Sequence, residues 1–127
     1  MMGNHIRYIE LKTGYSDNGP AWIGKVKLSK SGNTLYFNDK AFRKRRGISG
    51  NYYDIETHDE YWISGIKKNG TDRHWAGTGK IVIQKAIVMD YLEITGQKSI
   101  DAGRFDIADI PEKYPIDRIN ELENSME

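Results

Sequence analysis

The chain has 127 residues, 38% of them hydrophobic and 29% charged, a composition that fits one domain able to bury its own core and does not fit a disordered chain. It has no cysteine, which excludes thiol catalysis, cysteine-ligated zinc, iron–sulfur clusters and disulfides together. The net charge of +1 hides a split: residues 1–98 carry 16 Lys and Arg against 10 Asp and Glu, whereas residues 99–127 carry 3 against 8. A basic body with an acidic tail implies a tail that either docks on the body or stands in solvent, and the solvated tail is the simpler expectation. Met1 to Lys12 has no apolar stretch of signal-peptide length, and no run approaches the roughly 18 apolar residues that cross a bilayer, so a cytoplasmic protein without membrane association is expected.

The elements follow in chain order. His5 to Lys12 reads as a first strand, and Thr13 to Pro20, with Gly14, Gly19 and Pro20, as a loop. Ala21 to Lys30 alternates as one strand, with Trp22, Gly24, Val26 and Leu28 on one face and Ile23, Lys25, Lys27 and Ser29 on the other. Lys30 to Asn33 is a turn, Thr34 to Phe37 the return strand, and Asn38-Asp39 a second turn, since both residues tolerate left-handed backbone angles. Lys40 to Arg46 follows as a short basic strand or loop. Asn51 to Glu56 and Glu60 to Lys68 are two more strands. Asn69-Gly70 predicts a two-residue hairpin loop that pairs Lys68 with Thr71, because both central positions need positive φ. Ile81 to Ile83 is a last strand. Gln84 to Thr95 is a closing helix with the i,i+4 pairs Ile87–Tyr91 and Val88–Leu92, ended by Gly96. From Gln97 the composition turns polar, and Pro115 to Asn124 predicts a short tail helix with Ile116, Ile119 and Leu122 on one side.

The expected organisation is therefore a single β-rich domain over residues 1–98, closed by the helix 84–95, and an acidic, partly helical tail over 99–127. The fold class is mostly β: a small antiparallel barrel or strongly bent sheet, SH3-like as first choice, with an open antiparallel sheet crossed by the helix as second.

Phe42-Arg43-Lys44-Arg45-Arg46 is the strongest electrostatic feature. Four consecutive cations beside an aromatic suit phosphate binding, and Lys25, Lys27 and Lys40 extend the patch; the plainer reading is a charged, solvated edge strand. The adjacent aromatics Tyr52-Tyr53 and Tyr61-Trp62 give a partner surface, because on a strand one member of each pair must face outward. Asp54, Glu56 and His58 at i, i+2 and i+4 would share a strand face, yet His58 falls at a predicted turn and the spacing is unspecific, so no metal site is assigned. Asp72 and His74 also share a face, but no nucleophile can be set beside them. Gly77-Thr78-Gly79-Lys80 is not a phosphate loop: His74 stands where the first glycine belongs and Ile81 where a hydroxyl belongs. Gly47-Ile48-Ser49-Gly50 lacks the spacing of a nucleophile elbow.

Over Tyr8 to Gly96, the segments TGYSDNGPAWIGKVKLSKSGNTLYFN (13–38), GNYYDIETHDEYWISGIKKNGTDRHWAG (50–77) and YLEITG (91–96) resemble a family of short, uncharacterised bacterial proteins. Members are sometimes labelled deoxyxylulose-phosphate synthase. This chain has no Gly-Asp-Gly with a distant Asn for a metal–diphosphate site, so the resemblance implies no catalytic residue and no cofactor.

The functional expectation is a non-enzymatic binding module without cofactor or metal. It would bind nucleic acid weakly through Arg43, Lys44, Arg45, Arg46, Lys25 and Lys27. The alternative is a protein or peptide partner held by Tyr52, Tyr53, Tyr61 and Trp62. A small enzyme around Asp72 and His74 comes third. Oligomeric state is left open.

Overall fold

The computed structural model describes residues 5–12, 20–45, 50–68 and 79–125. They form β1 (Ile6–Leu11), β2 (Ala21–Lys25), β3 (Lys27–Leu28), β4 (Thr34–Phe37), β5 (Lys40–Lys44), β6 (Tyr52–Asp54), β7 (Glu60–Gly65), β8 (Ile81–Gln84), α1 (Val88–Thr95), β9 (Phe105–Ala108) and α2 (Ile116–Ser125). A 3₁₀ turn, Lys85–Ile87, leads into α1. The predicted Asn69-Gly70 hairpin, Asp72, His74, Arg46 and the 13–19 loop lie outside the described residues. No helix among the described residues is long and apolar enough to cross a membrane.

The strands make one sheet in the order β3-β4-β5-β6-β7-β1-β2-β8-β9. β2 and β3 stand six places apart in that order, yet only Val26 separates them in the chain. Two residues of extended chain span about 7 Å, so the intervening strands must curl until the sheet nearly meets itself. The result is the small barrel-like fold the sequence implied. Ala21 to Lys30 is not one continuous strand. At Val26, whose N–H donates to the His5 carbonyl (2.6 Å), the run leaves β1 and starts to pair with β4.

Alternation sorts the apolar residues between two faces. Ile9, Val26, Leu35, Phe37, Phe42, Tyr52, Tyr61 and Ile63 fill the interior of the curl. Gly24 is needed there: a Cβ on it would lie 2.4 Å from Phe37 Cε1 and 3.0 Å from Gln84 Oε1. Outside, α1 brings Tyr91 onto Ile6, Tyr8, Ile23, Ile81, Ile83 and Phe105, while α2 brings Ile119 onto Tyr36 and Ala41. β4 is therefore buried on both faces, as its pattern of four buried residues requires. The Asn38-Asp39 turn has φ of 49° and 63°, and Gly96 ends α1 at φ 71°, both as the residue types dictate.

Two expectations are corrected. The sheet is not wholly antiparallel: β2–β8 and β8–β9 are parallel ladders. A strand, a helix and a strand in succession need such a crossover, and residues 85–104 supply it. Nor is the acidic segment a solvated tail. It adds β9 to the sheet, it buries Phe105, and Ile119 is 0% exposed.

Ile119→Ala tests that docking. Loss of a buried isoleucine side chain should lower unfolding stability by about 2–5 kcal/mol in a denaturant titration, whereas a solvated tail would register no change.

Candidate nucleic-acid interface

The run Arg43 to Arg45 is divided by the pleat. Phe42 points into the curl, so Lys44 follows it on that side, while Ala41, Arg43 and Arg45 turn outward. Arg43 grips Glu123 of α2 with both terminal nitrogens, at 2.8 and 2.7 Å, and donates to Thr34 Oγ1 at 2.9 Å. The hydrogen bond from Arg43 holds the Glu123 carboxyl below its ordinary range. Lys25 pairs with Glu112 at 3.2 Å. Lys27 is exposed but lies beside Tyr36 in the β3–β4 ladder, on the far side of that strand from Arg43's neighbours in β6. The six predicted cations are thus not one patch: two are held by tail carboxylates, Lys44 and Lys27 are dispersed, and Arg46 is outside the described residues.

What the structure does bring together is Arg45 with the aromatic set. The guanidinium of Arg45 lies 4.1 Å from the Tyr53 ring centroid. The His58 ring stacks near Tyr53 at 6.1 Å and 13°. Its backbone explains its position. Buried Asp54 accepts from the Glu56 and Thr57 amides (2.8 and 3.2 Å), its carbonyl accepts the His58 amide (2.8 Å), and His58 adopts φ 68°. The three residues considered as a metal set therefore part company: Asp54 builds the turn, Glu56 pairs with Arg118 at 2.9 Å, and His58 stacks. Among the described residues no group of His, Asp and Glu could hold a metal ion.

The aromatic pairs behave as alternation requires. Tyr52 and Tyr61 are buried in the interior, so they offer no partner surface. Tyr53 is half-buried on the outside and Trp62 is 41% exposed. The register Tyr52↔Tyr61 and Tyr53↔Glu60 makes Trp62 a diagonal neighbour of Tyr53 on that outer face. This face stays open because α1 covers β1, β2, β8 and β9, and α2 covers β4 and β5. β6 and β7 lie between the two helices in the sheet order.

One buried group escaped the sequence reading. Glu10 of β1, almost fully buried, accepts a hydrogen bond from Tyr8 Oη (2.5 Å) and an ion pair from Lys12 Nζ (3.0 Å). It pairs across the ladder with Trp62. The polar i, i+2, i+4 spacing of Tyr8, Glu10 and Lys12 was the available signal. A cleft of about 330 Å³ lies elsewhere, lined by His5, Lys25, Asp90 and Glu112 with Ile6 and Ile87. Its charges are mixed and its lysine is already paired, so it adds nothing to the basic face.

No protein-family model matches the chain, and no curated protein or solved structure matches it.

Burial of Tyr61, with the carboxylates of Asp54 and Asp59 adding to it, pushes its hydroxyl up to about 12. The folded state thus holds a proton that the unfolded chain releases near pH 10, so the stabilisation is complete below pH 10 and is lost as pH rises toward 12. Ultraviolet titration should find a tyrosine that ionises near pH 12. Tyr61→Phe should flatten the fall in stability between pH 10 and 12, and an unchanged slope would place the ring in water.

Proposed function

We propose that the protein is a cytoplasmic, non-enzymatic binding module that takes single-stranded nucleic acid weakly on the outer face of β5, β6 and β7. The observation that carries this reading is the exposed Arg45 guanidinium over the Tyr53 ring, on the same face as exposed Trp62. Flat rings stack on any base, and a neighbouring arginine supplies the phosphate contact and a planar stacking surface of its own, a combination that binds without strong sequence preference. Weak affinity follows from the charge balance. Arg43, the next cation on this face, is held by Glu123, so a phosphate must displace a carboxylate to reach it.

A protein or peptide partner is the second reading, favoured by the 41% exposure of Trp62, since aromatic residues are enriched where interfaces are driven by burial. The two readings differ in thermodynamics. Phosphate binding weakens steeply with salt; aromatic burial against a protein is less salt-sensitive and carries a negative heat-capacity change.

Fluorescence anisotropy with short DNA and RNA single strands, at low and physiological salt, separates them. Tyr53→Ala and Trp62→Ala should each weaken binding roughly fivefold to a hundredfold, the loss of about one stacked base. Arg45→Ala should reduce the slope of log affinity against log salt by about 0.7, one phosphate contact on a single strand. Lys27→Ala, away from this face, should leave binding unchanged. Absence of binding at low salt would overturn the nucleic-acid reading and leave the protein partner.

A further inference from the structure

β9 ends the sheet, and its phase against β8 fixes which backbone groups it leaves outward. The Ile81 amide donates to the Arg104 carbonyl (2.9 Å), and Ile81 pairs with Phe105 and Ile83 with Ile107. In a parallel ladder this phase turns the backbone groups of Asp106 and Ala108 toward β8. The amide and carbonyl of Ile107 then face the other way, with the carbonyl of Phe105. The Phe105 amide is turned back to the Asp101 carbonyl (3.0 Å). Among the described residues no strand pairs with this outer edge.

The side chains of this edge are apolar where a lone edge is usually charged. A cross-sheet row runs Tyr8–Ile23–Ile83–Ile107 through three successive ladders. The first three members are 0% exposed, and the fourth, at the edge, is 53% exposed. Phe105–Ala108 contains no proline and no lysine, the residues that commonly protect an edge from strand addition. Its one charge, Asp106, alternates to the opposite face from Ile107 and lies 3.6 Å from Lys80.

We propose that this edge pairs with a second copy of the chain, β9 against β9 in antiparallel sense, about a two-fold axis at Ile107. An outward N–H and C=O on one residue are their own complement under that rotation: each Ile107 amide donates to the Ile107 carbonyl of the other copy. The same register brings each Phe105 carbonyl to the Asp109 amide of the other copy. The two Ile107 side chains become direct cross-strand neighbours, about 5 Å apart, and the apolar row continues unbroken from one sheet into the next. Register by backbone symmetry favours a second copy over an unrelated strand, which would have to supply the apolar residue and the phase independently. A four-residue strand buries less than the roughly 1,600 Å² of a standard interface, so the dimer is weak, with a dissociation constant on the order of 100 µM.

Sedimentation velocity of the full chain, from low to high micromolar concentration, tests the proposal. The wild type should pass from monomer to dimer. Ile107→Pro, which deletes an outward amide and no β8 hydrogen bond, should weaken association roughly tenfold or more. Ile107→Lys, which keeps the backbone intact and sets two like charges face to face, should do the same, so the result does not depend on the proline variant folding. Hydrogen exchange at the Ile107 amide should slow with protein concentration in the wild type. A wild type that stays monomeric throughout, or a dimer that survives both substitutions, overturns the proposal.

Discussion

The closure at Val26 governs the rest of this molecule. Because β2 runs into β3 through one residue, the strand that pairs with β1 must also reach the edge of β4, and every strand between them has to bend to allow it. Such curvature is possible only where side chains leave room. Gly24, two residues before the switch, is that room: Phe37 from β4 and the side chain of Gln84 occupy the space a Cβ would fill. Gln84 then binds both sides of the closure, accepting from the Lys25 amide at 2.8 Å and donating to the Ile110 carbonyl at 2.9 Å. A buried amide with both ends satisfied orders a core without the desolvation cost of an unpaired polar group.

Curling one sheet solves the interior and creates a second problem outside it, since strands this apolar cannot leave their outer face in water. Two helices cover that face, and the acidic segment supplies one of them together with β9. Its acids then meet cations of the body: Glu123 takes Arg43, Glu112 takes Lys25, while Arg118 of the same helix returns to Asp39 and Glu56. The exposed pairs add little stability each; Ile119 and Phe105 are what hold the segment down. Their larger effect is on the field outside. With +6 and −5 opposed at close range, the molecule has no strongly basic side, and any affinity for phosphates must come from the few cations the acids do not reach.

Much of the fold was legible in the sequence because it rests on local rules. Asn38-Asp39 and Gly96 declared their backbone angles, and Ile116, Ile119 and Leu122 declared a helix face. Tyr52-Tyr53 and Tyr61-Trp62 divided between inside and outside as the pleat demands. What was not legible depends on partners distant in sequence. Nothing in Ala21 to Lys30 marks Val26 as the residue where one strand changes neighbours. Phe105–Ala108 carries an aspartate and polar flanks, and only its pairing with β8 makes it a strand. Burial on both faces of Thr34–Phe37 follows from α2, some 80 residues away. The candidate site failed and succeeded for the same reason. Four adjacent cations look like one patch along the chain, but period-two geometry sends Lys44 opposite to Arg43 and Arg45, and Glu123 claims Arg43.

The open strip over β6 and β7 follows from the same accounting of faces. α1 is fixed over β1, β2, β8 and β9 by the crossover from β8 to β9, and α2 over β4 and β5 by Ile119. The sheet order puts β6 and β7 between those two sets, so a strip of outer face is left that neither helix can reach. A strip without cover should carry polar groups, and Glu60 and Ser64 fit that expectation. Tyr53 and Trp62 do not. Arg45 and His58 come from either side of β6 to shield Tyr53, but among the described residues no ring or guanidinium contact is made by Trp62. Beneath that ring, the ladder partner Glu10 is sealed in by Tyr8 and Lys12, a buried ionic arrangement that costs stability unless every hydrogen bond is kept. An exposed indole over a costly buried carboxylate is a poor solution for folding alone, which is the physical reason to look for the ligand on this face.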